Sequence, residues 1–319
     1  MRNLTREVGS KAFVASGQET INLPRDYAYV DIMVELDCLI TVSGGNTSGT
    51  LADNAPAQLI KTIEIRANGR DVIKSLDYSG LVRLTQLRYG TAPNNTILAS
   101  GDNQTNTHCY VYGIIPQAMW RSVKPFDTLF NAKVLSTYEA IISFGATADI
   151  YSTAGNRTTA ATGTVYLTCR ESVGLPDNTI LPINKEGTIE STVTATATEH
   201  KIPLNYAKDL SYRALVLRTL DGGAVSNSII NNIKLQSGGV IFYNVNGTRT
   251  RNRNKLIYSV ETMPTGYYAI DMCEDGRLGD SLDTSGLSSL DLILDVTVGS
   301  GTTKIKVYTT EIILPTVVK

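Results

Sequence analysis

Two stretches of the sequence repeat one another at a fixed distance. Residues 59–69 read LIKTIEIRANG, and residues 229–239 read IINNIKLQSGG. Ile63 matches Ile233 at an offset of 170 positions, and a glycine of each stretch matches at the same offset. Each copy has alternating apolar residues, then a glycine turn, then a second apolar stretch, which is typical of a β-hairpin. This self-similarity predicts two copies of one structural module.

The flanks of the two stretches agree with this pairing. The strand-like residues 29–36 parallel residues 212–217, and residues 164–170 parallel residues 303–309. Chance alternation of strands and turns is the competing explanation, but the shared order and spacing favour a repeat. The predicted organisation is an N-terminal arm (1–16), a first module (17–184) and a second module (185–319).

The chain reads mainly as β-strands. Period-two alternation, as in residues 29–36, is typical of strands with one buried face. Asn68 and Gly69 predict a tight hairpin turn because Asn-Gly suits the type I′ conformation. One helix is predicted, with Asp77 as its N-cap, leucines at helical spacing and Gly90 just beyond its end.

The composition excludes several classes of protein. The chain has 319 residues, 18% of them charged, with a net charge of -1, which excludes a globally basic nucleic-acid coat. The N-terminal residues lack the apolar core of a secretory signal, and no apolar run approaches the length of a membrane span. The four cysteines lack metal-ligand spacing, and we predict buried free thiols and folding in a reducing compartment.

A β module of roughly 130–165 residues with this strand spacing fits an eight-stranded jelly roll. The predicted fold class is therefore all-β, with two tandem eight-stranded jelly rolls (a double jelly roll) and short helices inserted in loops. Residues 60–70 (IKTIEIRANGR) and 84–91 (LTQLRYGT) resemble the N-terminal module of double jelly-roll major capsid proteins. That family builds icosahedral bacteriophages with an internal membrane, of the corticovirus and tectivirus kind, and some related single-stranded-DNA phages. The resemblance covers about residues 18–172, and its motif carries no catalytic residues.

The resemblance implies a virion protein, made and folded in the host cytoplasm, that forms pseudo-hexagonal homotrimers tiling an icosahedral shell. The implied partners are neighbouring trimers, penton or vertex proteins, minor capsid proteins and the internal lipid membrane. It implies no cofactor requirement and no specific nucleic-acid recognition. Two loops, Ser43–Asn54 and Gly145–Gly163, are predicted to form outward towers because their Gly, Thr, Ala and Asn content suits exposed loops.

Catalytic signals are scarce, and we predict no catalytic residue. The two histidines are His108 and His200. His108 adjoins Cys109, but neighbours in a strand point to opposite faces, which argues against a Cys/His dyad. No nucleophile-elbow, zinc-protease or P-loop motif occurs.

An acidic, glycine-containing loop is the best metal candidate. Its residues Asp271, Glu274, Asp275 and Asp280 are followed by Asp283. Clustered carboxylate oxygens suit Ca²⁺, although the spacing does not match an EF-hand. A solvated turn is the alternative interpretation.

Two sets of basic residues are candidate contact sites. The first is a short run: Arg249, Arg251, Arg253 and Lys255. It could meet lipid or DNA phosphates, but its interleaved Thr and Asn favour a subunit interface or a solvated face. The second set lies in the predicted arm: Arg2, Arg6 and Lys11. These residues are predicted to place a flexible arm against the inner membrane.

Three functions are consistent with the sequence. The first is a major capsid subunit whose function is assembly, without turnover. The second is a viral spike or receptor-binding β protein that recognises glycans, for which 16 tyrosines could supply stacking faces. The third is a β-sandwich or β-helix enzyme, which the single Trp120 and the lack of an obvious carboxylate pair make the weakest of the three.

Overall fold

The computed structural model describes residues 2–44, 50–90, 103–153, 157–177 and 179–314. The chain divides into two compact units. Unit 1 contains residues 1–118 and 129–180, and unit 2 contains residues 119–128 and 181–319. The ten-residue segment 119–128 therefore belongs to unit 2, although it lies inside the predicted first module.

Unit 1 is built from two antiparallel four-stranded sheets. Their orders are β1-β11-β3-β7, with β8 added to β3, and β6-β5-β9-β2. The strands of unit 1 are β1 (Arg2–Ala12), β2 (Gln18–Asn22), β3 (Ala28–Ser43), β4 (Thr50–Leu51), β5 (Ile60–Ala67), β6 (Asp71–Asp77), β7 (Gln104–Pro116), β8 (Phe130–Asn131), β9 (Tyr138–Phe144), β10 (Tyr151–Thr153) and β11 (Thr158–Val173). Its helices are α1 (Tyr78–Tyr89) and short 3₁₀ turns at Ala55–Leu59, Ala132–Val134 and Thr147–Ile150.

Unit 2 repeats this construction. Its sheets have the orders β12-β21-β14-β18, with β15 and β19 added to β14, and β17-β16-β20-β13. The strands are β12 (Ile183–Val193), β13 (Ala197–Pro203), β14 (Leu210–Asp221), β15 (Ala224–Val225), β16 (Ile230–Ser237), β17 (Val240–Asn246), β18 (Tyr267–Asp271), β19 (Leu282–Asp283), β20 (Asp291–Val296) and β21 (Thr303–Ile313). Its helices are α2 (Gly247–Tyr258) and 3₁₀ turns at Pro125–Thr128 and Leu278–Asp280.

The two units have the same strand order, which gives the sequence repeat a structural meaning. The hairpin β5–β6 followed by α1 corresponds to the hairpin β16–β17 followed by α2. One side-chain hydrogen bond also recurs in both units: the Tyr29 hydroxyl donates to the Pro24 carbonyl, and the Tyr212 hydroxyl donates to the Asn205 carbonyl. Each unit therefore has eight main strands in two sheets.

Alternation along the strands decides which side chains form the core. In β3 the buried residues Ile32, Val34 and Leu36 alternate with the less buried Met33 and Glu35. In unit 2, one apolar cluster includes Leu217 of β14 and Leu235 of β16, which belong to different sheets. The apolar faces of the two sheets of unit 2 are thus packed together, as a sandwich requires.

The local signals around the first hairpin are confirmed. Asn68 and Gly69 have positive φ angles of 54° and 76°, as the turn between β5 and β6 needs. The Asp77 side chain accepts a hydrogen bond from the Gly80 N–H at 3.0 Å and so caps α1. Gly90 ends the helix in the left-handed conformation, with a φ of 74°.

The N-terminal residues differ from the flexible arm that the sequence suggested. Residues Arg2–Ala12 form β1, which pairs with β11 along nearly its whole length. Arg6 forms ion pairs with Glu171 at 2.7 Å and Asp26 at 3.2 Å, and Lys11 pairs with Glu19 at 2.8 Å. The strand partner lies about 160 residues away in sequence, so local composition could not reveal the pairing.

The two predicted tower loops lie only partly within the described structure. Residues 45–49 and 154–156 are outside the described residues. The described parts of the two loops are in contact with each other, because β4 of the first loop and β10 of the second pair as a short antiparallel ribbon. Of the helices that the structure describes, none has the length and apolar character needed to cross a membrane.

Removal of the cap of α1 tests this local structure. We expect Asp77→Ala to lower the free energy of unfolding by about 1 kcal/mol, because the Gly80 N–H loses its acceptor. Urea denaturation measures the effect. Asp71→Ala is the control, since its ion pair with Arg70 is exposed and contributes little. Equal midpoints for the two variants would contradict the capping role.

Candidate functional site

Helix α2 separates the basic run into residues with different environments. The helix begins after Asn246, whose side chain accepts from the Thr248 N–H at 2.9 Å. Residues two apart in a helix point in nearly opposite directions, because each residue turns the helix by about 100°. Arg249 and Lys255 are exposed, whereas Arg251 is partly buried. The run does not form a single phosphate-binding patch.

Arg251 holds the loop that follows α2. Its guanidinium donates to the carbonyls of Pro264 and Tyr267, each at 2.8 Å, and to that of Met263 at 3.2 Å. It also lies 5.5 Å from the centroid of the Tyr268 ring. Burial lowers the pKa of Arg251 from its ordinary value, but the carbonyl acceptors suit the charged form. The role of this arginine is therefore structural.

Arg253 forms an ion pair with Glu274 of the acidic loop. The Arg253 guanidinium donates to both carboxylate oxygens of Glu274, at 2.8 and 2.9 Å. This bidentate pair gives Glu274 a partner other than a metal ion. It also removes Arg253 from the basic residues that are available for a phosphate.

The four predicted calcium ligands are not brought together. Asp271 is buried, with the Arg213 guanidinium 3.8 Å away and the Tyr258 hydroxyl donating to it at 3.3 Å. Asp275 and Asp280 are exposed. Within the residues that the structure describes, no group of three or more His, Cys, Asp or Glu side chains is arranged to hold a metal ion. The four carboxylates share a loop in sequence but have separate surroundings.

Asp271 belongs instead to an aromatic and ionic cluster that the sequence did not predict. Arg213 is fully buried, and its guanidinium carbon lies 3.8 Å from the centroid of the Trp120 ring. Trp120 also stacks on Tyr258 with 5.6 Å between ring centroids. Arg121 donates to the carbonyl of Tyr258 at the end of α2, and so gives one of the last carbonyls of the helix a hydrogen-bond donor. The cluster anchors segment 119–128 in unit 2.

The only tryptophan is therefore unavailable as a sugar-stacking platform. Trp120 is 7% exposed, and its ring faces are taken by Arg213 and Tyr258. A tryptophan in a run without clear periodicity was the sole sequence signal for this cluster. Its partners lie more than 90 residues away, so sequence could not identify them.

The histidines show no catalytic arrangement. His108 is exposed with its Nε2 2.6 Å from Asp37 Oδ1, whereas Cys109 is buried on the other face of β7. His200 Nε2 lies 2.9 Å from Ser191 Oγ, and burial lowers its pKa. All four cysteines are free and buried.

An exposed apolar surface is the feature most suited to a function. We call it the β17 edge and define it as Val240, Ile241 and Phe242. These residues are 59%, 53% and 39% exposed. A β-bulge at Phe242 breaks the regular alternation of this strand.

The surroundings of the β17 edge are shaped to receive a side chain. A cavity of about 240 Å³ lies between β17, α2 and β18. Phe242 and Ile257 contribute apolar wall, and the Arg253–Glu274 pair contributes polar wall. An apolar patch with a polar border and an adjacent cavity is typical of a protein interaction site. The sequence showed Val240–Phe242 as an apolar strand but gave no sign that it would be exposed.

Comparisons with solved structures define the class of fold. The chain matches the major capsid protein of Sulfolobus turreted icosahedral virus with a TM-score of 0.78 and 15% identity, covering 99% of this chain and 98% of that one. It matches the major capsid protein P2 of bacteriophage PM2 with a TM-score of 0.66 and 12% identity, covering 99% of each chain. The PBCV-1 virus capsid gives 0.63 and 13%, covering 98% and 95%. The fold is thus the double jelly roll of viral major capsid proteins, as predicted.

A family model gives a more particular relationship for unit 2. Residues 186–312 match the family described as the viral coat protein P2 C-terminal domain. The sequence resemblance had rested on the first half of the chain, so the family match adds evidence from the other half. No curated protein matches the chain by sequence.

The divided basic run yields a direct test. We expect Arg251→Ala to lower the free energy of unfolding by about 2 kcal/mol, because three backbone carbonyls lose a charged donor. Arg249→Ala on the same helix is the matched control, and no measurable change is expected because Arg249 is exposed. Urea unfolding compares them. Equal losses of stability in the two variants would contradict the structural role of Arg251.

Proposed function

We propose that this chain is a major capsid subunit that assembles into pseudo-hexameric homotrimers of an icosahedral shell. The observation that carries the proposal is the doubling of one eight-stranded module in a single chain. Three such chains around a threefold axis place six similar modules in a ring, which gives a tile with a hexagonal outline. The match of residues 186–312 to a viral coat protein domain supports this function.

In this proposal, the protein acts by binding copies of itself and has no catalytic turnover. Its site is then a set of surfaces, and the β17 edge is one of them. The proposal places it in the virion. Folding in the reducing cytoplasm of the host is supported by the four buried free thiols.

The proposal also extends to the corticovirus and tectivirus kind of bacteriophage, with an internal membrane. The similarity in fold to the major capsid protein P2 of bacteriophage PM2 and the match to a viral coat protein P2 domain support that lineage. Penton or vertex proteins and minor capsid proteins complete the proposed partners, because flat hexagonal tiles alone do not close a shell.

A glycan-binding spike is the second candidate function. The buried Trp120 gives it no stacking face, but exposed tyrosines such as Tyr206 and Tyr89 keep it testable. The two functions differ in the state of the purified protein. A coat subunit forms trimers without a ligand, whereas a monomer that binds sugar fits a receptor-binding protein.

Solution mass tests the proposed assembly. We expect light scattering after size-exclusion chromatography to give about three times the chain mass of 34.5 kDa. Negative-stain images of the same fraction should show a hexagonal outline. A monomer at every concentration up to the millimolar range, combined with glycan-array binding, would favour the spike instead.

The membrane contact is a separate proposal that rests on Arg2, Arg6 and Lys11. Arg6 and Lys11 are ion-paired within unit 1, so Arg2 is the residue of the three with an exposed side chain and no ion pair in the described structure. We expect Arg2→Glu to reduce flotation of the protein with phosphatidylglycerol vesicles, because the reversed charge repels an anionic surface. Arg70→Glu, at an exposed turn, is the control. Equal flotation of both variants and the wild type would exclude this contact.

A further inference from the structure

Two strands stand out because none of their side chains is buried. Among the sixteen main strands, as far as the structure describes them, only β1 and β17 lack a buried residue. Each lies at an edge of its sheet: β1 pairs with β11 alone, and β17 pairs with β16 alone. Exposed edge strands offer unpaired backbone donors and acceptors, and proteins normally cover or block them.

The strands in the equivalent places of the other unit do contain buried residues. β6 corresponds to β17, and β12 corresponds to β1. The bulge of β17 at Phe242 recurs in β6 at Ile73. Ile73 is 8% exposed and Phe242 is 39% exposed, so the same bulged apolar position is covered in one unit and open in the other. The difference marks β17 and β1 as surfaces that the single chain leaves uncovered.

We propose that β17 of one copy pairs, strand to strand, with β1 of a neighbouring copy in the trimer. This inference rests on the proposed function and names the surfaces that join the subunits. A cyclic trimer has a heterologous interface, in which each subunit contributes two different patches. β17 and β1 are two different open edges on the same chain. When β17 of each subunit pairs with β1 of the next subunit around the trimer, neither edge strand is left exposed.

The two strands suit each other in length and chemistry. β1 has 11 residues and β17 has 7, so β1 is long enough to pair along the whole of β17. Main-chain hydrogen bonds supply the affinity of such strand addition, and side-chain pockets supply its specificity. Leu4 is an exposed apolar residue of β1, and the cavity beside Phe242 can accept a side chain of that size. β13, at the opposite edge of the β17 sheet, buries Ile202 and is the poorer alternative.

Charge placed on the β17 edge tests the surface. We expect Ile241→Glu to raise the trimer dissociation constant at least tenfold in sedimentation experiments, and Leu4→Glu to act in the same direction. Val134→Glu is the matched control, because Val134 is 59% exposed but lies in a 3₁₀ turn away from β1 and β17 in sequence. We expect the dissociation constant of the Val134→Glu trimer to equal that of the wild type. Circular dichroism checks the fold. If Ile241→Glu is unfolded, Asn244→Glu on the same exposed strand replaces it.

Hydrogen exchange tests the strand pairing itself. In the wild-type trimer, compared with folded Ile241→Glu protein at a concentration where it is monomeric, we expect slower amide exchange in residues 2–12 and 240–246. We expect no change in residues 197–203. A wild type that never associates refutes the proposed function and the inference together. Trimers that tolerate Ile241→Glu refute only the inference. Protection of β17 without protection of β1 also refutes it, because another surface would then cover β17.

Discussion

Backbone pairing in antiparallel sheets is the constraint on which this protein depends. Every strand needs partners for its N–H and C=O groups, and each sheet has one apolar face to bury. Eight strands in two sheets meet both needs within each unit, except at the edges of the sheets. Of the main strands at these edges, β1 and β17 are the two in the described structure that have no buried side chain. In a protein that acts by assembly, such uncovered edges are where function is expected.

Several charged residues in the described structure hold distant parts of the chain together. Arg251 binds backbone carbonyls, Arg213 stacks on Trp120, and Arg6 pairs with the buried Glu171. A weakly charged surface fits this use, because a subunit surrounded by copies of itself gains nothing from mutual repulsion. In the proposed assembly, apolar contacts and strand pairing carry the association.

Much of the fold was readable from the sequence because its signals are local or periodic. The hairpin turn at Asn68 and Gly69, the cap at Asp77 and the alternation in β3 depend on neighbouring residues. The repeat added the long-range information that a single module lacks, and the two units have the same strand order. The site was predicted less well. Arg249 to Lys255 and Asp271 to Asp280 were grouped by closeness in sequence, and the structure gives their members different partners.

The sequence by itself determined the module and its duplication, since strand alternation and turn conformation depend on residues that are neighbours in the chain. Tertiary structure decided which surfaces stay open. Val72–Ile73 and Val240–Phe242 are similar apolar stretches after similar turns, yet Ile73 is buried and Phe242 is exposed. The physical reason is that burial depends on what covers a strand from distant parts of the fold. The same reason explains β1, which looked like a free arm until its partner in β11 was known.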